Sequence, residues 1–275
     1  MQNNMENVAH DLRVDIARLF YSSGTGHMAP ALSCVDILAE LYFDGIITYD
    51  KRFSPERDRV ILSKGHACAA LYVTLARAGY FPREELKTFY KKNSRLGGHP
   101  NIALPGIETA TGALGHGICF GTGTAKAAKI DDKDFFTYVI VGDGETQEGS
   151  VWEAASFAAN EKLDNLVVIL DNNGLQASSF TEEISPTKPI KIKWESFGWQ
   201  VLTVDGHNFS ELHNAFLSAK QSKECPTLII AETIKGKGVS LAENNPTWHS
   251  RVPKDNEWVS VCRDLNISME ELTSL

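Results

Sequence analysis

The sequence predicts an α/β fold in which a doubly wound, mostly parallel sheet is covered by helices on both faces. Short, continuously apolar segments alternate with segments whose apolar residues recur at helical spacing. Strands of this kind are typical of parallel sheets that are buried on both faces. The segments predicted to be strands are RVILS (59–63), FFTYVIV (135–141), NLVVIL (165–170), QVLTVD (200–205) and TLIIAET (227–233).

The predicted helices lie before and between these strands. Residues 7–21 carry apolar side chains at helical spacing. After a break at 22–30, Ser33 is predicted to be the N-cap of a helix with the sequence CVDILAELYF. From about Asn244 the sequence is polar with few periodic positions, so a polar C-terminal tail is expected. Further helices are predicted at 67–79, 82–90, 115–129, 150–162, within 188–198 and at 210–222.

Composition limits the possible classes of protein. The 275 residues, 43% of them apolar, suffice for one large domain or two small ones. The net charge of −8 disfavours nucleic acid as a partner. The five widely spaced cysteines form no C-x-x-C pair, which disfavours a zinc ribbon or a disulfide scaffold. The N-terminus does not resemble a signal peptide, and no apolar run is long enough to span a membrane, so a cytoplasmic protein is expected.

Asp143 lies between two glycines where the strand at 135–141 ends, in the sequence VGDGETQEGS. Ligands of doubly wound sheets bind at the carboxyl ends of the strands, and the free N–H groups of a following helix attract anions. The next strand ends in DNN (171–173), so the two ends belong to one βαβ unit. Carboxylate and amide oxygens suit Mg²⁺ or Ca²⁺ shared with a phosphate. The two motifs together predict a site for a divalent metal and a diphosphate, although either one alone fits a simple tight turn.

Seven segments follow one another along the chain: SGTGH (23–27), RVILSKGHACAALY (59–72), RLGGHPN (95–101), TATGALGHG (109–117), GDGETQEG (142–149), DNN (171–173) and TIKGKGV (233–239). In this order they resemble successive motifs of the transketolase family, in which G-D-G followed about thirty residues later by N-N is the thiamine diphosphate signature. The resemblance implies a single diphosphate-binding (PP) domain over 1–275, with thiamine diphosphate as the cofactor.

The resemblance also implies roles for individual residues. Metal ligands are expected from the side chains of Asp143 and Asn173 and the carbonyl of Leu175. The diphosphate is expected to contact His66, Gly144 and Asn173, and the aminopyrimidine side to contact the backbone of Gly112 and Leu114.

Further catalytic candidates follow from the same resemblance. His27, His99 and His249 are expected to line the substrate channel, where imidazoles bond sugar hydroxyls and move protons. Glu148 and Glu153 are expected near the subunit interface, linking two active sites.

Other charged residues receive weaker interpretations. His10, His207 and His213 are expected to have ordinary surface or capping roles. Lys235 and Lys237 fit either a phosphate contact or a solvated loop.

The chain resembles only the first of the three domains of a full transketolase. The glutamate that activates the cofactor and much of the substrate phosphate site belong to the other domains. The resemblance therefore implies the N-terminal subunit of a split transketolase, assembled as α₂β₂ with a separate C-terminal subunit. Such an enzyme transfers a two-carbon ketol unit from a ketose (phosphate) donor to an aldose acceptor. The sequence departs from the usual motifs at Met28-Ala29-Pro30 and at His116. These departures leave the identity of the substrate sugar open, with pentose phosphates as the default expectation.

Three other interpretations remain open at this point. The chain also fits a subunit of a 1-deoxyxylulose-5-phosphate synthase-like enzyme, an E1-like subunit of a 2-oxo acid dehydrogenase, or a non-catalytic regulatory subunit that kept the fold. An NAD-binding domain is disfavoured, because no G-x-G-x-x-G follows the first predicted strand.

Overall fold

A five-stranded parallel sheet forms the centre of the computed structural model, which describes residues 2–48 and 53–275. All four pairs of neighbouring strands run parallel, and the spatial order is β1-β2-β3-β5-β4. The strands are β1 (Arg59–Leu62), β2 (Thr137–Gly142), β3 (Leu166–Asn172), β4 (Gln200–Asp205) and β5 (Thr227–Glu232).

Helices precede and separate the strands, as the sequence predicts. The α-helices are α1 (Gln2–Ser23), α2 (Met28–Ser33), α3 (Val35–Phe43), α4 (Cys68–Arg77), α5 (His116–Ile130), α6 (Gly149–Asn160), α7 (Thr181–Ile184), α8 (Ile190–Ser196), α9 (Phe209–Gln221), α10 (Glu257–Asp264) and α11 (Met269–Thr273). Short 3₁₀ helices span Gly65–Ala67, Arg83–Thr88, Gly144–Gln147 and Pro246–Trp248.

The core has two parts, one on each face of the sheet. Along β2, Tyr138 and Ile140 join the core under α1 to α4 and α9, whereas Val139 and Val141 join the core under α5, α6 and α8. All four side chains are fully buried. Because both faces are covered, the inner strands β2, β3 and β5 are buried over most of their length, which explains their continuous apolar runs, whereas the edge strand β4 is partly exposed. The predicted fold class is confirmed.

The prediction that Ser33 caps a helix is wrong. The break in the helical region is shorter than expected, because α2 starts at Met28 and ends at Ser33 itself. Its third residue is Pro30, and proline is tolerated in a first helical turn because the N–H that it lacks has no partner there. The Ser33 hydroxyl is buried and donates to Oδ2 of Asp171, 2.6 Å away.

The segment after Asn244 packs against the domain instead of forming an irregular polar tail. It contains the 3₁₀ turn at Pro246–Trp248, then α10 and α11. Trp248 and Trp258 are buried, and α11 lies against α1. The short helices bury few but large side chains, which is why the sequence shows little periodicity.

No membrane-spanning helix is found in the part of the chain that the structure describes: none of its helices combines the necessary length and apolar character. The five cysteines are free thiols, and Cys34, Cys68 and Cys262 are buried.

Two glycines of α5 provide a matched test of packing against the sheet. A Cβ atom on Gly121 would lie 2.3 Å from Cγ2 of Val139 in β2, whereas a Cβ on Gly123 would meet nothing within 4 Å. Alanine favours helix by about 1 kcal/mol at either position, but the overpacking at Gly121 costs about 1–3 kcal/mol. We expect Gly123→Ala to equal or exceed the wild type in urea unfolding and Gly121→Ala to be less stable than Gly123→Ala. Equal stability of the two variants would contradict this packing.

Candidate active site

A pocket of about 400 Å³ opens where the carboxyl ends of β1, β2 and β3 meet the loops that follow them. It brings together ten of the residues predicted from the sequence. They are His27, His66, His99, Gly112, Leu114, Asp143, Gly144, Asn173, Leu175 and His249.

Asp143 occupies the floor of this pocket and is almost completely buried. Its Oδ1 accepts from the backbone N–H of Gly144 (2.8 Å), and its Oδ2 accepts from Gly174 N–H (2.6 Å) and the Thr181 hydroxyl (3.1 Å). Burial raises the pKa of Asp143 to about 6, and the nearby Asp171 carboxylate adds to this effect. A cation beside such a buried carboxylate stabilises its charged form, which burial disfavours.

The loop after β3 adds further oxygen atoms next to Asp143. The Asn173 Oδ1 accepts from the backbone N–H of Leu175 (3.1 Å), which holds the loop in a tight turn. The carbonyls of Leu175 and Gln176 face the Lys235 ammonium, 3.4 and 3.2 Å from its Nζ. A positive charge therefore already lies against the carbonyl that is predicted to bind the metal. One carboxylate, one amide oxygen and one carbonyl fit a hard divalent cation such as Mg²⁺.

Four histidines line the pocket and contact one another. The ring centroid of His27 lies 5.4 Å from that of His66, 5.5 Å from His249 and 6.4 Å from His99. Burial, together with the charges of Lys64, Lys235 and the neighbouring histidines, lowers the pKa of His66 to about 2 and that of His249 to about 3. The pKa of His27 is also lowered, first by burial and then by His99. These three imidazoles are therefore neutral at pH 7.

Neutral imidazoles can both donate and accept hydrogen bonds. The Nδ1 atom of His27 is buried and has no partner among the described residues. A buried polar atom without a partner is costly, so this nitrogen is available to a ligand. Gly112 has a φ of 151° and its Cβ would lie 2.8 Å from Cδ2 of His99, so only glycine lets this loop approach the ring.

A buried ion pair fixes the loops around the pocket, and the sequence did not reveal it. Lys64, which follows β1, donates to Oδ2 of Asp171 in β3. Asp171 also accepts from Ser33 and Thr233, and Lys64 donates to the Pro30 carbonyl (3.0 Å). Burial alone would lower the pKa of Lys64 and raise that of Asp171, but the partner's charge, together with the hydrogen bonds and the other nearby charges, outweighs burial, so the pKa of Lys64 is raised and that of Asp171 is lowered. Both residues are charged.

Glu145 is a second structural residue that sequence reasoning missed. Its carboxylate is buried in the pocket wall and accepts from the Gly115 N–H (2.8 Å), the Gly142 N–H (3.0 Å) and the Ser63 hydroxyl. It therefore joins the ends of β1 and β2 to the N-terminus of α5. The only signal for it is a second carboxylate within GDGE, which does not by itself distinguish a structural role from catalysis.

The two lysines of KGKG differ in position. Lys235 is fully buried and lines the pocket, with Nζ 3.0 Å from Nδ1 of His249. Lys237 lies outside the pocket and is half-buried. Burial, followed by the charge of Lys64, lowers the pKa of Lys235 to about 8.

Two sequence-predicted catalytic residues do not lie in the pocket. Glu148 is the exposed N-cap residue of α6, and Glu153 is exposed on the same helix. The chain turns outward after the 3₁₀ turn at Gly144–Gln147, so neither carboxylate is placed to touch a ligand bound here.

Two of the remaining histidines bind carboxylates. His207, expected at the surface, is largely buried: its Nδ1 contacts Asp36 (2.6 Å) and its Nε2 accepts from the Ile234 N–H (2.8 Å). It has a structural role between α3 and the loop that carries Lys235. His213 contacts Glu40 and Asp44, and His10 is half-buried on α1.

The fold and the site together define an α/β domain with a ligand pocket at the carboxyl ends of its parallel strands. The chain matches the family described as "Transketolase, thiamine diphosphate binding domain" over residues 3–270. It therefore belongs to the transketolase family of ketol-group transferases, as a thiamine diphosphate-binding domain.

Relatives of similar length are named as subunits. The chain is 42% identical over 261 residues to an apulose-4-phosphate transketolase subunit of Phocaeicola vulgatus, covering 94% of this chain and 93% of that protein. It is 40% identical over 245 residues to the 6-deoxy-6-sulfo-D-fructose transketolase subunit SqwG of a Clostridium species, covering 88% and 89%.

A solved transketolase has the same fold but a longer chain. The structure from Campylobacter jejuni superposes with a TM-score of 0.89 at 31% identity. The match covers 98% of this chain but 44% of the Campylobacter chain, so this chain spans less than half of that protein.

The Asp143→Asn variant tests the metal site. We expect Mg²⁺ with thiamine diphosphate to raise the Tm of the wild-type chain by several degrees, because ligands that bind only the native state stabilise it. The variant should lose this response, because an amide supplies no charge to the cation. Asp134→Asn makes the same change at an exposed residue outside the pocket and is the control. A wild-type response in Asp143→Asn would refute the metal assignment.

The pH dependence of cofactor binding tests Lys235. Its ammonium is charged below a pKa of about 8 and neutral above it. We therefore expect thiamine diphosphate affinity, measured by fluorescence titration, to fall as pH rises through 8, by up to about tenfold, the worth of one ion pair. Lys235→Met should bind weakly without this fall, whereas Lys237→Met should keep the wild-type profile. A Lys235→Met profile that still falls would contradict the assignment.

Proposed function

We propose that this chain is the N-terminal, thiamine diphosphate-binding subunit of a split, cytoplasmic transketolase. It transfers a two-carbon ketol unit from a ketose donor to an aldose acceptor when it is assembled with a C-terminal partner subunit. The observation that carries the proposal is the single pocket in which the predicted metal, cofactor and sugar-binding residues meet. The two relatives named as subunits, which match nearly the whole chain, support the split architecture.

In this proposal the metal and the diphosphate occupy the floor of the pocket. Asp143, Asn173 and the Leu175 carbonyl hold Mg²⁺, or Ca²⁺, and His66, Gly144 and Lys235 bind the diphosphate. The backbone of Gly112 and Leu114 positions the aminopyrimidine. When bound, thiamine diphosphate supplies the carbanion chemistry that cleaves and forms the carbon–carbon bond.

Three histidines at the wall of the pocket act on the sugar. His27, His99 and His249 bond the hydroxyls of the donor and acceptor and hold or pass the protons exchanged during transfer. The low pKa values of His27 and His249 keep these rings in the neutral form, which offers one donor and one acceptor nitrogen. The donor carries an anionic group far from the reacting carbon, in keeping with the names of the two relatives.

The assembly is proposed to be α₂β₂. Glu148 and Glu153 then face another subunit instead of the substrate, since both are exposed outside the pocket. The pyrimidine-activating glutamate, which the family resemblance assigns to another domain, comes in this proposal from the C-terminal partner.

Native mass spectrometry of the chain purified from its own source tests this proposal. We expect two copies of this chain with two copies of a second subunit, together with thiamine diphosphate and Mg²⁺. The complex should transfer ketol units between sugar phosphates, and this chain alone should not. A homomeric species that binds no cofactor would support a regulatory subunit, and activity with pyruvate in place of a ketose donor would favour the other thiamine diphosphate enzymes.

A further inference from the structure

Three metal-ligating side chains form a cluster between α3 and α9, outside the cofactor pocket. Glu40 is on α3, Asp44 is the C-cap residue of that helix, and His213 is on α9. The Nδ1 atom of His213 lies 2.8 Å from Oε1 of Glu40 and 3.0 Å from Oδ2 of Asp44. One ligand atom from each of the three residues lies within 4.8 Å of the other two.

The hydrogen bonds of this cluster are incomplete. One Nδ1–H group cannot point well at both carboxylates, because hydrogen bonds weaken steeply away from linearity. The second carboxylate oxygen of Glu40, Oε2, has no hydrogen-bond partner within residues 2–48 and 53–275. The Glu40 side chain is 0% exposed, so water does not compensate. A buried carboxylate oxygen without a partner costs free energy unless a further positive group is bound.

The charges of the cluster are also unbalanced. In the part of the chain that the structure describes, the ion pairs of Glu40 and Asp44 are with His213 alone, with no lysine or arginine. The cluster lies at the C-terminal end of α3, where the helix dipole favours a cation. An imidazole nitrogen with two carboxylates, at the negative end of a helix, is a ligand set for a divalent metal.

We propose that Glu40, Asp44 and His213 bind a Zn²⁺ ion that joins α3 to α9. The imidazole ligand favours zinc over Mg²⁺, which prefers oxygen ligands. Asp44 and His213 are 23% and 34% exposed, which gives the ion a path from solvent and leaves room for water as a further ligand. This site holds two helices together and is independent of the proposed catalytic function.

Thermal unfolding of the full-length chain tests this site. The protein is first treated with a chelator and then melted with and without Zn²⁺, in the presence of excess Mg²⁺. We expect zinc to raise the Tm of the wild type by several degrees, and Glu40→Gln and His213→Asn to lose this rise. Glu40→Gln keeps the shape of the side chain, and His10→Asn is the matched control on α1 and should respond as the wild type does.

The histidines of the cofactor pocket are a competing zinc site, so the test includes His249→Asn. If zinc binds at Glu40, Asp44 and His213, this variant keeps the zinc response. X-ray absorption of the zinc-loaded chain should show one imidazole among oxygen ligands. The proposal is overturned if zinc does not stabilise the wild type, if Glu40→Gln keeps the response, or if several imidazoles surround the ion.

Discussion

The buried ion pair between Lys64 and Asp171 is the interaction on which the rest of the site depends. With Ser33 and Thr233 it joins α2, the end of β1, β3 and the end of β5. The site residues follow closely along the chain: His66, Asn173 and Lys235 lie two residues after Lys64, Asp171 and Thr233. Removing one member of such a pair leaves an uncompensated buried charge, at a cost of about 3–5 kcal/mol. The network therefore fixes the loops, and the side chains of the pocket walls remain free to bind ligands.

Burial disfavours the charged forms of the titratable groups in the pocket. It raises the pKa of Asp143 and lowers those of Lys235, His66 and His249. A divalent metal relieves the buried carboxylate, and a diphosphate relieves the buried ammonium. Ligands that bind these buried groups in the native state should therefore stabilise the folded chain.

Sequence reasoning succeeded where one physical requirement controls several residues. A sheet covered on both faces requires continuous apolar strands, and parallel strands bring the loops with Asp143 and Asn173 to one edge of the sheet. It failed where a residue acts through partners distant in sequence. Ser33 resembles a helix cap but bonds Asp171, which is 138 residues away. The buried pair and Glu145 depend on tertiary proximity that no local pattern encodes.

The C-terminal region and the glutamates at α6 also show where local sequence patterns do not predict the structure or the role of a residue. Trp248 and Trp258 anchor short helices whose few buried positions leave almost no periodic signal. Glu148 and Glu153 are exposed, and the role proposed for them at a subunit interface involves residues of another chain.

The most direct test of the central claim is the position of the metal. A crystal of the chain grown with Mn²⁺ and thiamine diphosphate should give an anomalous peak between Asp143, Asn173 and the Leu175 carbonyl, with the Lys235 ammonium moved away from that carbonyl. A cofactor-loaded crystal with no peak at these three residues would contradict the account, because the carboxyl ends of β2 and β3 would then not form the metal site.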